Sequence, residues 1–201
     1  MPAVEPCRLY LITPAAFDPN SFADGLAAAL DAGDVACLRL ALDGGDDDIR
    51  RACEHLVPVC RDRDVAFLLS GKSHLVDDTG ADGIHAQGSI GGLRAALPAG
   101  AILGAGCGLS RHDALVAGEL EADYVSFGPM GCELAEIVTW WNQMVVLPCV
   151  AEGIADVAQA AQAVEAGADF LALGATIWGH GDGPARAVAA FDAVIAKGRG
   201  R

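Results

Sequence analysis

Arg39 is the side chain best placed to handle an anion. It stands alone as a cation near the end of the apolar run Val35–Leu42, where a charge is costly unless it meets an acid or a bound anion. Both readings stay open: a ligand contact, or a structural pair with a neighbouring acid. Lys72 and His74 open the segment after another apolar run, where a solvated loop is the competing reading, and His85 follows a third. His85 could be a hydrogen-bonded core histidine or a ligand contact. Cys107 lies between Gly106 and Gly108, where a small residue in a turn competes with a nucleophilic thiol. Cys107, Cys132, His74 and His85 could together make a soft-metal site, but their spacing matches no metal motif. Gly153 and Gly174 allow a ligand to approach the backbone closely.

These residues need a scaffold, and hydrophobic patterning supplies one. Apolar runs at Arg8–Thr13, Val35–Leu42, Val65–Ser70, Gly83–Ala86, Ile102–Ala105, Tyr124–Phe127, Val145–Ala151 and Phe170–Leu173 predict eight strands. Helical patterns fall at Ser21–Ala32, Asp46–Asp62, Arg111–Leu120, Ile154–Ala166 and Gly183–Lys197, with less regular segments after the third, fourth and sixth strands. Apolar strands alternating with helices imply a parallel sheet covered by helices. A Gly-Asp or Ala-Asp junction recurs at Asp34, Asp82, Asp123 and Asp169, before the even-numbered strands. That repeat favours closure into a (βα)8 TIM barrel and puts these acids at its bottom face, where residues serve stability. The 201 residues suffice for one such domain spanning residues 1–201.

Composition narrows the partners. The net charge is −14, from 27 acidic and 13 basic residues. A chain that neutralises many phosphates of a nucleic acid, or binds an anionic membrane, would show the opposite balance. With so few cations, a pocket for a small phosphorylated molecule would have to rely on a specific Arg, Lys72, a metal ion or backbone N–H groups. Seven scattered cysteines without CxxC pairs, and a start with no signal-peptide pattern, predict a cytoplasmic protein with free thiols. Trp140-Trp141 most simply packs a helix on the barrel. With Val145-Val146-Leu147 it could instead form a homodimer contact.

Six landmarks carry a family resemblance. They are Leu9-Tyr10-Leu11-Ile12-Thr13, Leu38-Arg39-Leu40, Gly80-Ala81-Asp82-Gly83-Ile84-His85, Ala122-Asp123-Tyr124-Val125-Ser126-Phe127-Gly128-Pro129, Pro148-Cys149-Val150-Ala151-Glu152-Gly153-Ile154 and Ala166-Gly167-Ala168-Asp169. In this order the chain resembles the thiamine phosphate synthase family and its thiazole tautomerase relatives. The resemblance implies a transferase of thiamine biosynthesis, which joins a hydroxymethylpyrimidine pyrophosphate to a thiazole phosphate and loses pyrophosphate in a Mg2+-assisted step. It also implies substrate and phosphate contacts at Arg39, His85, Gly106, Gly153, Ile154, Gly174 and Ala175, with Arg39 and Lys72 the catalytic candidates.

Several positions depart from the family pattern. Its Gln-Leu-Arg-Glu-Lys run is Cys37-Leu38-Arg39-Leu40-Ala41 here, and its Asn-Asp after the third strand is Ser70-Gly71. The position of its second metal Asp falls near Ile90. Gly106 replaces a Ser, Pro129 stands where the tautomerases have His, and the sixth loop, Met130–Ala135, has no Lys. Glu152-Gly153-Ile154 replaces Gly-Gly-Ile, putting a carboxylate beside the phosphate, and Gly174-Ala175-Thr176-Ile177 replaces Val-Ser-Ala-Ile. The expectation is a synthase-like barrel with no protein metal ligands, in which Mg2+ is held only through substrate phosphates and the ordinary transfer is impaired. The alternatives are a non-catalytic binding or regulatory paralogue and an enzyme of thiamine metabolism with changed chemistry.

Overall fold

Eight parallel strands close into a barrel in chain order, each hydrogen-bonded to the next and β8 to β1. The computed structural model describes residues 6–129 and 131–198, without the side chain of Cys132. The strands are β1 (Arg8–Ile12), β2 (Val35–Leu40), β3 (Ala66–Ser70), β4 (Gly83–Gln87), β5 (Ile102–Gly106), β6 (Tyr124–Phe127), β7 (Cys149–Ala151) and β8 (Phe170–Leu173). The helices are α1 (Pro19–Leu30), α2 (Asp46–Arg61), α3 (Val76–Thr79), α4 (Leu93–Ala96), α5 (Arg111–Glu119), α6 (Cys132–Met144), α7 (Val157–Ala166), α8 (Ala175–Trp178) and α9 (Pro184–Gly198).

Strand side chains alternate between two cores, as their period of two requires. Leu9, Leu38, Leu69, Ile84, Leu103, Val125 and Leu171 point outward into the layer beneath the helices. Tyr10, Cys37, Leu68, Tyr124, Val150 and Ala172 point inward and form a separate cluster inside the barrel. Gly104 on β5 makes room for the largest of these. A Cβ there would run into the Tyr124 ring.

The Asp repeat is explained by hydrogen bonds at the bottom of the barrel. Asp82 accepts from the Phe67 N–H at 2.7 Å, Asp123 from Leu103 at 2.8 Å and Asp169 from Cys149 at 2.8 Å. In each case an acid just before an even-numbered strand holds the beginning of the preceding strand. Asp34 acts differently and accepts from the Arg8 side chain at 2.8 Å.

Two expected boundaries need correction. The seventh strand is only Cys149–Ala151, not Val145–Ala151, and the segment before it is the regular helix α6. Leu134, Ile137, Val138 and Trp141 are buried at helical spacing. The helix ends at Met144, Trp141 Nε1 donates to the Leu147 carbonyl at 2.7 Å, and Val146 is fully exposed. Likewise α7 starts at Val157, where Asp156 caps it through the Ala158 and Gln159 N–H groups, rather than at Ile154. Trp141 packs edge-on against Phe127, and Arg111 lies over Trp140 at 4.7 Å, so the Trp pair serves helix packing. Among the described residues no helix is long and apolar enough to cross a membrane.

Replacing Asp169 with Ala leaves the Cys149 N–H without its partner at the start of the shortest strand. Urea unfolding is expected to show a loss of about 1–3 kcal/mol. An unchanged midpoint would show that the clamp is dispensable.

Candidate functional site

The C-terminal ends of the strands form a polar mouth above the inner cluster. Arg39 comes from β2, Ser70 from β3, His85 and Gln87 from β4, Gly106 from β5 and Ser126 from β6, while Glu152 directly follows β7 and Gly174 follows β8. Their sequence positions share the inward parity of Tyr10 and Tyr124, which explains why they converge.

Arg39 reaches across the barrel to Glu152. Its Nη1 donates to Oε1 at 2.9 Å and its Nη2 to Oε2 at 3.3 Å, a two-pronged pair that matches the guanidinium fork. The Arg39 side chain is 9% exposed and that of Glu152 20%. Burial raises the proton affinity of Glu152, but the Arg39 charge and hydrogen bonds from Arg39 and Ser126 outweigh it, so the carboxyl lies below its usual range. The guanidinium stands 5.7 Å from the centre of the Tyr10 ring. The structural pair is therefore present, and the carboxylate that replaces a family glycine is its partner.

Beneath the pair runs a chain of hydrogen bonds, buried at His85, Tyr124 and Tyr10 and reaching the surface at Gln87. His85 Nδ1 meets Tyr124 Oη at 2.9 Å, Tyr124 Oη meets Tyr10 Oη at 2.9 Å, and Gln87 Nε2 lies 3.2 Å from His85 Nε2. Burial first, and then the Arg39 charge, push the His85 pKa down to about 3. The imidazole is thus neutral at physiological pH, and its 3.6 Å approach to Glu152 is no ion pair. Gly106 lets the Gln87 carboxamide lie across β5, where a Cβ would collide with it. A cavity of about 250 Å3 opens beside Gly106, between the loops after β4 and β5 and helix α5.

Lys72 and His74 lie apart from this network, on the rim. Both meet the Asp46 carboxylate at the start of α2, Lys72 Nζ at 2.9 Å and His74 Nε2 at 2.8 Å. The His74 hydrogen bond, then that of Lys72, holds the Asp46 pKa down to about 2. Lys72 adopts the left-handed conformation at φ 54°.

Gly153 turns the chain after Glu152 at φ 80°, and Ile154 is buried behind it. Gly174 leads into the single turn of α8, so the first N–H groups of that turn, beginning at Ala175, lack partners within the helix. Among the described residues the buried side-chain polar atoms without a partner are Arg39 Nε and Thr176 Oγ1, one on the end of β2 and the other in α8. Helix α8 directly follows β8, and β2 and β8 flank β1.

Other candidates do not gather here. Cys107 is buried, and burial, then Asp113, raises its thiol pKa to about 11, so it is a protonated small side chain at neutral pH. Among the described residues no cluster of three or more His, Cys, Asp or Glu could hold a metal ion. Ile90 is buried in the core, Ser70 ends the third strand and Gly71 follows it. Within the sixth loop, Met130 and the Cys132 side chain lie outside the described residues.

The residues that sequence reasoning missed are Tyr10, Tyr124, Ser126, Gln87, Asp46 and Thr176. The first four were legible as inward positions two residues apart on their strands, whereas the contacts of Asp46 and Thr176 depend on where loops fall.

A closed parallel barrel of eight strands, with helices between them and a polar, cation-bearing mouth at the strand ends, defines the class of (βα)8 barrels. Within that class the chain belongs to the thiamine monophosphate synthase family, whose profile matches residues 9–177. It is 50% identical to the thiamine-phosphate synthase of Rhodospirillum centenum over 202 residues, covering 94% of this chain and 98% of that protein. It is 40% identical to the thiamine-phosphate synthase of Hyphomonas neptunium, covering 94% and 93%. The fold matches thiamine phosphate pyrophosphorylase from Pyrococcus furiosus at a TM-score of 0.83 and 20% identity, covering 95% and 96%.

The low His85 pKa has a measurable sign. An unfolded histidine takes up its proton near pH 6.5, while the folded one does so only near pH 3. The stability it contributes is present above about pH 6.5 and is lost as pH falls toward 3. In NMR the His85 ring resonances should stay constant from pH 5 to 8, a window bracketing the ordinary histidine midpoint; a midpoint near 6.5 would contradict a buried neutral ring.

Proposed function

We propose that this chain is a thiamine-phosphate synthase, joining a hydroxymethylpyrimidine pyrophosphate to a thiazole phosphate at the barrel mouth with loss of pyrophosphate. The observation that carries the reading is the pair of unpartnered buried polar atoms, Arg39 Nε and Thr176 Oγ1, both set around this mouth. Buried polar atoms of a native protein normally have partners, so two orphans at one mouth mark a place for a polar ligand. The extensive identity to the thiamine-phosphate synthases of Rhodospirillum centenum and Hyphomonas neptunium supports the same reaction. The alternatives of a non-catalytic paralogue and of changed chemistry find no support there.

Each group has a role in this reading. The N–H groups at Gly153, Ile154, Gly174 and Ala175 hold the thiazole phosphate, and Thr176 Oγ1 adds a hydroxyl. Arg39 faces the charge that develops on the leaving pyrophosphate, where a fixed cation counts most. His85, neutral and locked to Tyr124, gives the heterocycle a polar contact without adding charge. Gly106 and Gln87 shape the wall beside it. Lys72, tied to Asp46, supplies a cation at the rim.

Mg2+ would enter with the substrate phosphates, because the chain offers no ligand cluster of its own among the described residues. The working compartment is the cytoplasm, in keeping with the buried free thiols of Cys37, Cys53, Cys60, Cys107 and Cys149. Nucleic acid and membrane are not partners in this reading, and a homodimer would use surfaces away from the mouth.

Purified protein given both precursors and Mg2+ should form thiamine phosphate, detected by oxidation to a fluorescent thiochrome derivative. Arg39→Gln should lower kcat/KM by about 100-fold or more, the usual scale for losing one preorganised charge contact. No product above background from the wild-type protein would overturn the proposal.

A further inference from the structure

The central cation of the mouth is already held by an anion of the chain itself. Both Nη groups of Arg39 donate to Glu152, and Arg39 as a whole is 7% exposed. A phosphoanion cannot bind the guanidinium fork while the carboxylate sits on it. Carboxylate and phosphate oxygens fit the same fork in the same two-pronged way. Both anions at once would face each other across a few ångströms of poorly solvated space.

We infer that Glu152 is an internal competitor for Arg39, so that the substrate's pyrophosphate group takes the two Nη positions and the carboxylate withdraws. This rests on the reading of the mouth as a pyrophosphate site. Glu152 is the partner that can move, because its side chain is the more exposed of the two. It also has somewhere to go. Ser126 already hydrogen-bonds to it from β6, and the neutral His85 ring lies 3.6 Å from its Oε1. Its stem stays fixed against Gly128, where an added Cβ would come within 2.9 Å of the Glu152 Cβ, so withdrawal is a turn of the outer side chain.

The consequence is specificity through competition. A singly charged or weakly basic anion does not displace the carboxylate, whereas a multiply charged pyrophosphate does. Glu152 also returns to Arg39 as the product pyrophosphate departs, which opposes product retention.

Calorimetric titration with inorganic pyrophosphate tests the exchange. Glu152→Gln keeps the shape and removes the charge, and should tighten pyrophosphate binding by about tenfold or more. Adding Arg39→Gln should abolish the gain. Unchanged or weaker binding by folded Glu152→Gln, or a gain that survives without Arg39, would overturn the inference. Should Glu152→Gln fail to fold, a wild-type crystal soaked with inorganic pyrophosphate decides the matter. Pyrophosphate oxygens on the Arg39 Nη atoms with Glu152 displaced would support exchange. An intact Arg39–Glu152 pair, with pyrophosphate elsewhere or unbound, would refute it. Thiamine phosphate formation by the wild-type protein is read separately, so exchange can fail while the synthase reading stands.

Discussion

The buried pair of Arg39 and Glu152 is the constraint around which the mouth is organised. A guanidinium at the inward end of a barrel strand requires an anion, and a carboxylate just after β7 requires a cation. Each makes the other tolerable. Together they span the barrel and form the floor on which a ligand would rest. Burial first, and then the Arg39 charge, keep His85 neutral beside the pair. In the uncharged layer below, two tyrosine hydroxyls and a histidine nitrogen satisfy one another in series.

The rest of the barrel holds these groups in register. Asp82, Asp123 and Asp169 each fasten the beginning of a neighbouring strand from below, which fixes how far each strand end projects into the mouth above. Gly104 and Gly106 then let Tyr124 and Gln87 lie across β5 without collision. Stability is thus concentrated at the bottom of the molecule and ligand-facing polarity at the top, the usual division in this architecture.

Much of this was legible in the sequence because it rests on period and parity. All eight strands and the bottom-face role of the Asp repeat follow from apolar runs and their junctions. Helix α6 read as a less regular segment and the seventh strand as too long, because the apolar Val145–Leu147 run reads as strand, whereas the chain bends there before Pro148 and Leu147 accepts from Trp141. The partner of Arg39 was harder. Glu152 lies 113 residues away, and only barrel closure brings β2 opposite β7. Sequence reasoning marked Glu152 as an obstacle to phosphate and Arg39 as a cation for it, but could not show that each occupies the other. Lys72 posed the same problem, since its attachment to Asp46 depends on the path of the loop between β3 and α3.

A double-mutant cycle between Arg39→Gln and Glu152→Gln in urea unfolding tests the central claim most directly. The account predicts a coupling of about 1–3 kcal/mol, with the double variant more stable than the sum of the two single losses requires. A coupling indistinguishable from zero would contradict it, because the two charges would then contribute independently and could not organise the mouth as a pair.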